Sequence, residues 1–199
     1  MRLPAPLRRL ARAARHAPDR LLHRIRHRRL VRRLARRGHP RSVLFVCHGN
    51  ICRSPYAAAA FSRALPQWLR EHVRITSAGF IGADRPAPPT AQRVAARRGL
   101  DLSEHRSALI SPMSVQGADL IVVMDARQRA AVCDVFGGRW GDIVLLGDLD
   151  PEPIDTRAIR DPVEQPEDVF EAVYDRIDRC VRVLAETLAH RTPATGGSA

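Results

Sequence analysis

The stretch from Val43 to Phe61, VLFVCHGNICRSPYAAAAF, constrains the fold more than any other. Val43–Val46 is an uninterrupted apolar run, which reads as a strand buried on both faces. From Pro55 an alanine-rich run favours helix, and the pattern predicts one over Pro55–Leu69. Only a short turn separates the two. A strand that passes so quickly into a helix opens a βα unit, and such units assemble into parallel sheets covered by helices.

From Ser42 onward the chain repeats that alternation. Strands are expected at Val73–Ser77, Asp119–Met124 and Ile143–Leu146. Helices are expected over Thr90–Arg98 (with Gly99 as its stop), Ala126–Phe136 and Glu167–His190. A Pro-rich loop, Ala83–Pro89, follows the second strand, and a loop rich in Asp and Pro, Asp148–Pro166, precedes the last helix. The expected fold is α/β: a doubly wound four-stranded parallel sheet with helices on both faces, forming a single domain over residues 41–190. Ligands of such sheets bind at the carboxyl ends of the strands, and Cys47 stands at one.

Charge separates that domain from an arm. Residues 1–40 hold 14 Arg against one acid, Asp19, a charge of +13; the formal +12 of the whole chain leaves the rest near −1. Leu7, Leu10, Ala11, Ala14, Leu21, Leu22 and Ile25 form a stripe at helical period, with arginines filling much of the remainder. Pro18 interrupts the stripe, while Leu30, Val31 and Leu34 lie on another side, so a single continuous helix is not expected. Basic amphipathic segments bind anionic membrane surfaces, which makes such a surface the expected partner of residues 1–40; a solvated, disordered arm is the plainer alternative. Nucleic acid is disfavoured as a partner, because the arm has no aromatic side chain on which a base could stack. No window approaches the ~20 apolar residues of a membrane span, and no secretory signal is recognisable. The four cysteines show neither zinc spacing nor a disulfide framework, so a reduced, cytoplasmic protein is expected, peripheral to a membrane through the arm. The tail, residues 191–199, is expected to be disordered.

The turn itself suggests chemistry. A loop of backbone N–H groups leading into a helix N-terminus favours an anion. Gly49 allows close approach of the backbone, Asn50 tolerates a left-handed conformation, and Arg53 offers a planar fork for two phosphate oxygens. That positive field favours the thiolate at Cys47, which can attack a bound phosphoryl group. Ser54 can donate a hydrogen bond to the sulfur.

The full string, Val46-Cys47-His48-Gly49-Asn50-Ile51-Cys52-Arg53-Ser54-Pro55, resembles the signature of the low-molecular-weight protein tyrosine phosphatases. The segments SAG (Ser77–Gly79), LDLSEHRS (Leu100–Ser107) and DLIVVMD (Asp119–Asp125) extend the resemblance, which covers roughly residues 42–190. It implies a metal- and cofactor-free phosphomonoesterase acting on phosphotyrosine in proteins through a cysteinyl-phosphate. Cys47, Arg53 and Asp161 would be catalytic, with His48, Gly49, Asn50, Ile51, Cys52 and Ser54 binding the phosphoryl group. Ser77 and His105 would brace Asn50 from behind. The family takes its general acid from an Asp-Pro pair directly before the last helix, which selects Asp161-Pro162 over Asp150-Pro151; Asp150 is expected to shape the loop after the fourth strand. Where phosphotyrosine-specific members usually carry aromatics after Asp-Pro, this chain has Val163 and Glu164, with Phe80 a candidate substitute. Oxidation of Cys47 is expected to stop at a reversible disulfide with Cys52.

Three other readings compete. A thioredoxin-linked arsenate reductase needs two further cysteines, but Met124 stands near the place of one and only Cys133 lies near the other; Cys133 and Cys180 read as buried helix residues. A protein-arginine phosphatase tends to carry Thr where Ile51 stands. A phosphate-binding module without turnover would have no need of Cys47, Arg53, Ser54 and Asp161 together.

Overall fold

The structure, a computed structural model, describes the backbone of residues 5–190 and the side chains of residues 17–190. Leu7, Leu10, Ala11 and Ala14 of the stripe, and the 191–199 tail, therefore lie outside the described side chains and residues respectively.

Four parallel strands form one sheet in the order β2-β1-β3-β4: β1 Ser42–Cys47, β2 Arg74–Gly79, β3 Leu120–Val123 and β4 Ile143–Leu145. Every residue of β1 is buried, as a central strand covered on both sides requires. The period-two geometry sends Val43, Phe45 and Cys47 to one apolar layer, and Leu44 and Val46 to the other. The first layer is completed by α2 (Arg53–Ala64), α4 (Pro89–Arg97) and α7 (Glu167–Ala189). The second is covered by α5 (Pro112–Gln116) and α6 (Ala126–Phe136). The order of winding reverses at β1, with β2 on one side and β3 on the other, so a crevice opens at its carboxyl end, beside Cys47.

Most element boundaries fall within one or two residues of the sequence expectation; one helix end and one additional helix differ more. The helix expected over Pro55–Leu69 ends at Ala64, because Leu65 precedes Pro66 and takes an extended conformation; a short turn, α3 (Gln67–Arg70), follows. The segment before β3 was not assigned, yet Ser111 caps α5 through a reciprocal pair of bonds with Ser114, and Pro112 occupies its first turn.

The larger difference is at the N-terminus. Ala5–Ala35 is one α-helix, α1, running through Pro18. An interior proline costs a helix about 3 kcal/mol, and tertiary docking offsets it. Leu30 and Leu34 enter the first apolar layer, where Leu34 is fully buried. His23 Nε2 donates to the Asp150 carbonyl at 2.8 Å, and His27 Nδ1 to that of Asp148 at 3.2 Å. Asp19 Oδ2 accepts from the Arg157 backbone at 3.2 Å, and Arg20 pairs with Asp155 at 2.7 Å. Instead of standing apart as an arm, residues 19–34 lie against the 148–157 loop. Among the described residues no helix is long and apolar enough to cross a membrane.

Candidate active site

The Cys47–Arg53 turn wraps around a sulfur. The Asn50 backbone N–H donates to Cys47 Sγ at 3.2 Å, and Ser54 Oγ donates to it at 3.0 Å. Asn50 holds a left-handed conformation, φ 50°, which Asn adopts more readily than most residues. Its side chain secures that geometry. Nδ2 donates to Ser54 Oγ at 2.9 Å and to Ser77 Oγ at 2.8 Å, while Oδ1 accepts from the Ala108 backbone at 2.8 Å. His105 Nε2 donates to the Asn50 carbonyl at 2.7 Å, so it braces the main chain where the sequence reading had it behind the residue generally. Gly79 is required by close approach, since a Cβ there would lie 2.7 Å from the Asn50 nitrogen. The Ser-Ala-Gly end of β2 is thus the mould against which the turn is cast.

No side chain caps the N-terminus of α2, and its first turn carries no acid. Its leading N–H groups and the positive end of its dipole therefore face the crevice. Arg53 is buried; its Nη1 donates to the Ile159 carbonyl at 3.3 Å, and its Nη2 is ion-paired with Asp161. That pair brings the carboxylate of the distant loop over the turn. Asp161 and Cys47 line the same small pocket, of about 100 Å³, together with His48, Gly49, Ile51, Cys52 and Arg53. Ile81, Arg85 and Val163 complete it. Cys47 is itself buried, 2% exposed. Burial, then the neighbouring Cys47, push the Cys52 thiol up to about 12, so Cys52 stays protonated near neutrality.

A family model described as "Low molecular weight phosphotyrosine protein phosphatase" matches residues 42–194. The chain belongs to that family. The low molecular weight protein-tyrosine-phosphatase Wzb of Salmonella typhimurium is 37% identical over 148 residues, 73% of this chain and 93% of its own. Among solved structures, the tyrosine phosphatase AmsI of Erwinia amylovora superposes with a TM-score of 0.68 at 29% identity, covering 76% of this chain and 95% of that one. The YwlE arginine phosphatase of Geobacillus stearothermophilus superposes at 0.65 and 28% identity, covering 75% and 93%. The chain is therefore an enzyme of the low molecular weight tyrosine phosphatase type, carried on a fold that arginine phosphatases share.

Against that family background, several sequence expectations are resolved by position. Phe80 does not substitute for the missing aromatic wall: its ring packs 6.0 Å from that of Phe136 in the second apolar layer. The apolar rim is aliphatic, made by Ile51, Ile81 and Val163. The turn after Asp161-Pro162 closes through Gln165 N–H to the Pro162 carbonyl at 3.0 Å, with Glu164 left-handed at φ 58°. Asp150 is buried and held by Arg176 at 3.0 Å and Arg179 at 3.1 Å, a loop-shaping role. Cys180 is buried, but Cys133 is only half-buried, on α6. Arg85 was missed by sequence reading. Its Nη2 donates to the carbonyls of Gly49 and Ile81, each at 2.8 Å, tying the turn to the loop after β2. In a chain so rich in arginine, nothing marks that one out.

Proposed function

We propose that the protein hydrolyses phosphotyrosine in protein substrates, with Cys47 as nucleophile, Arg53 as phosphoryl clamp and Asp161 as general acid and then base. The observation that carries this reading is the Cys47 sulfur receiving two hydrogen bonds in a pocket that Asp161 overhangs. The two donors stabilise negative charge on the sulfur as it leaves phosphorus. A phosphoryl dianion entering the pocket takes the Arg53 guanidinium from Asp161 and accepts from the 48–53 amides. Asp161, released from Arg53, takes up a proton from solvent; Cys47 Sγ then forms a bond to phosphorus in line as the phenolic oxygen leaves, and the Asp161 carboxyl gives that oxygen its proton. In the second step the Asp161 carboxylate takes a proton from water, the water oxygen bonds phosphorus, and the S–P bond breaks to release phosphate and the thiolate. Ser54 stabilises the sulfur as leaving group. Ser77 and His105 act through Asn50 by holding the turn.

Tyrosine is favoured over arginine as the phosphate carrier by Ile51 and by the relatives named protein-tyrosine-phosphatases. Turnover on phosphotyrosine, phosphoserine and phosphoarginine peptides of one sequence tests it: phosphotyrosine is expected to lead by at least about tenfold, and a lead for phosphoarginine would overturn the preference.

The reading extends to location. The protein acts in the cytoplasm, attached peripherally to an anionic membrane surface by α1, which exposes Leu21, Leu22 and Ile25 among its arginines. Full-length protein is expected to sediment with anionic but not neutral vesicles and to be released by salt.

A further inference from the structure

The docking of α1 creates a second basic cavity, away from Cys47. Arg26, Arg29 and Arg33 recur at helical spacing on one face of α1 and face the β4 strand. Arg129 of α6 and Arg157 of the 148–157 loop join them around a cavity of about 200 Å³, floored by Leu30 and by Ile143, Val144 and Leu145. One carboxylate, Asp148, lines it, and both its oxygens are taken by Arg157, at 2.8 and 2.7 Å. Arg26 Nε stands 4.0 Å from Asp148 without a hydrogen bond, and Arg129 Nε, also buried, has no partner among the described residues. Arg29, Arg33 and Arg129 make no ion pair with a carboxylate among the described residues.

Arg26 also pairs with Asp19, at 3.4 Å, so five guanidinium groups crowd around two carboxylates that are already engaged. Burial, then Arg33 and Arg157, lower the proton affinity of Arg129, whereas the bond to Asp148 raises that of Arg157. Ordinary surface arginines spread into solvent or pair with acids, as Arg93 and Arg97 do with Glu167 and Glu171. Here Arg26, Arg129 and Arg157 are part-buried over an apolar floor, where charges act more strongly than in water, and Arg29 and Arg33 reach in from the exposed face of α1. A compact multivalent anion would turn their mutual repulsion into attraction, and guanidinium forks suit phosphate oxygens.

We propose that the Arg26–Arg29–Arg33–Arg129–Arg157 cavity is a binding site for a small anion carrying two or more linked phosphate groups, distinct from the phosphoryl pocket at Cys47. Linked phosphates offer enough oxygens to engage arginines contributed by α1, α6 and the loop together. Its bound form would clamp α1 to the domain, because the ligand touches both.

Tripolyphosphate is the probe, titrated calorimetrically into full-length protein with saturating orthophosphate present to occupy the Cys47 pocket. The variant is Arg29→Gln/Arg33→Gln; both side chains are exposed and make no ion pair, so the fold and p-nitrophenyl phosphate turnover should persist. Binding to the parent at one site, with a dissociation constant at least about tenfold higher in the variant, is expected from the loss of two charged contacts. Failure of the parent to bind under orthophosphate, or equal binding by the variant, would overturn the proposal. The single variant Arg129→Gln, which removes a different wall of the cavity, must also weaken binding; if it does not, the exposed face of α1 alone attracts the anion and the cavity is not the site. Vesicles carrying phosphatidylinositol bisphosphate distinguish the source: displacement of parent from them by tripolyphosphate, absent in the double variant, extends the same site to a lipid headgroup, and no displacement confines it to free anions.

Discussion

Ser54 Oγ donates to Cys47 Sγ at 3.0 Å while accepting from Asn50 Nδ2 at 2.9 Å. The other acceptor within reach of the serine proton, the Ala78 carbonyl, lies at 3.5 Å, so the sulfur is the better-placed partner. Such a bond matters most when the thiolate departs from phosphorus. Ser54→Ala is therefore expected to slow breakdown of the cysteinyl-phosphate more than its formation. The loss should be on the order of 10²-fold in kcat, the scale for removing one donor from a developing anion. Stopped-flow release of p-nitrophenol should show a burst larger than that of the parent; equal loss in burst rate and steady state would assign Ser54 to packing alone.

Gly79 supplies the second expectation. A methyl group there would meet the Asn50 backbone at 2.7 Å and the Gly49 carbonyl carbon at 2.9 Å, neither of which can swing aside. Gly79→Ala should displace the turn and weaken vanadate inhibition by at least about tenfold. Unchanged vanadate affinity would contradict the mould role of β2.

Stability should fall in alkali. Burial holds the Cys52 thiol near 12 against an ordinary 9.0, and pushes Cys180, Tyr56 and Tyr174 upward too. Below about pH 9 the folded and unfolded chains carry the same protons on these cysteines. Above it the unfolded chain loses protons that the folded one retains, so stability declines as pH rises from about 9 toward about 12. Thermal melts across that window check the sign, and Cys52→Val and Cys180→Val should each flatten the slope. The same raised value means that iodoacetamide at neutral pH should label Cys47 before Cys52.

The fourth expectation concerns α1. Leu34 is fully buried, so Leu34→Ala should cost about 2–5 kcal/mol in urea unfolding. A fragment of residues 41–199 should be destabilised further and prone to aggregate, because Leu188 and other first-layer side chains lose their cover. A fragment as stable as the full chain would show α1 to be a dispensable arm.

The sheet and the phosphate turn were legible in the sequence because both are local. Val43–Val46 has only one comfortable environment, and Gly49, Asn50 and Arg53 carry their meaning in their backbone and charge preferences. Ser77 and His105 were reachable only through family resemblance, since each meets Asn50 from another strand or loop. Phe80 was misjudged because strand alternation, which continues past Gly79, sends it to the opposite face. The arm was misjudged for a different reason. Pro18 speaks against a helix locally, while Leu30, Leu34, His23 and Asp19 favour one only once the 148–157 loop is beside them. Arg85 and the arginine cavity were invisible, because in a chain where arginine is the only strong base its frequency hides its placement.

The account rests on a phosphoryl group passing through Cys47 with Asp161 supplying and then removing the proton. The direct measurement is acid quench of Asp161→Asn during turnover of p-nitrophenyl phosphate, whose good leaving group needs little protonation, followed by mass spectrometry of the peptide holding Cys47. The account expects one phosphoryl group on Cys47, accumulating because the variant lacks the base for hydrolysis, and none in Cys47→Ser under the same quench. Steady turnover with Cys47 unmodified, or a Cys47→Ser variant that still turns over, would contradict it.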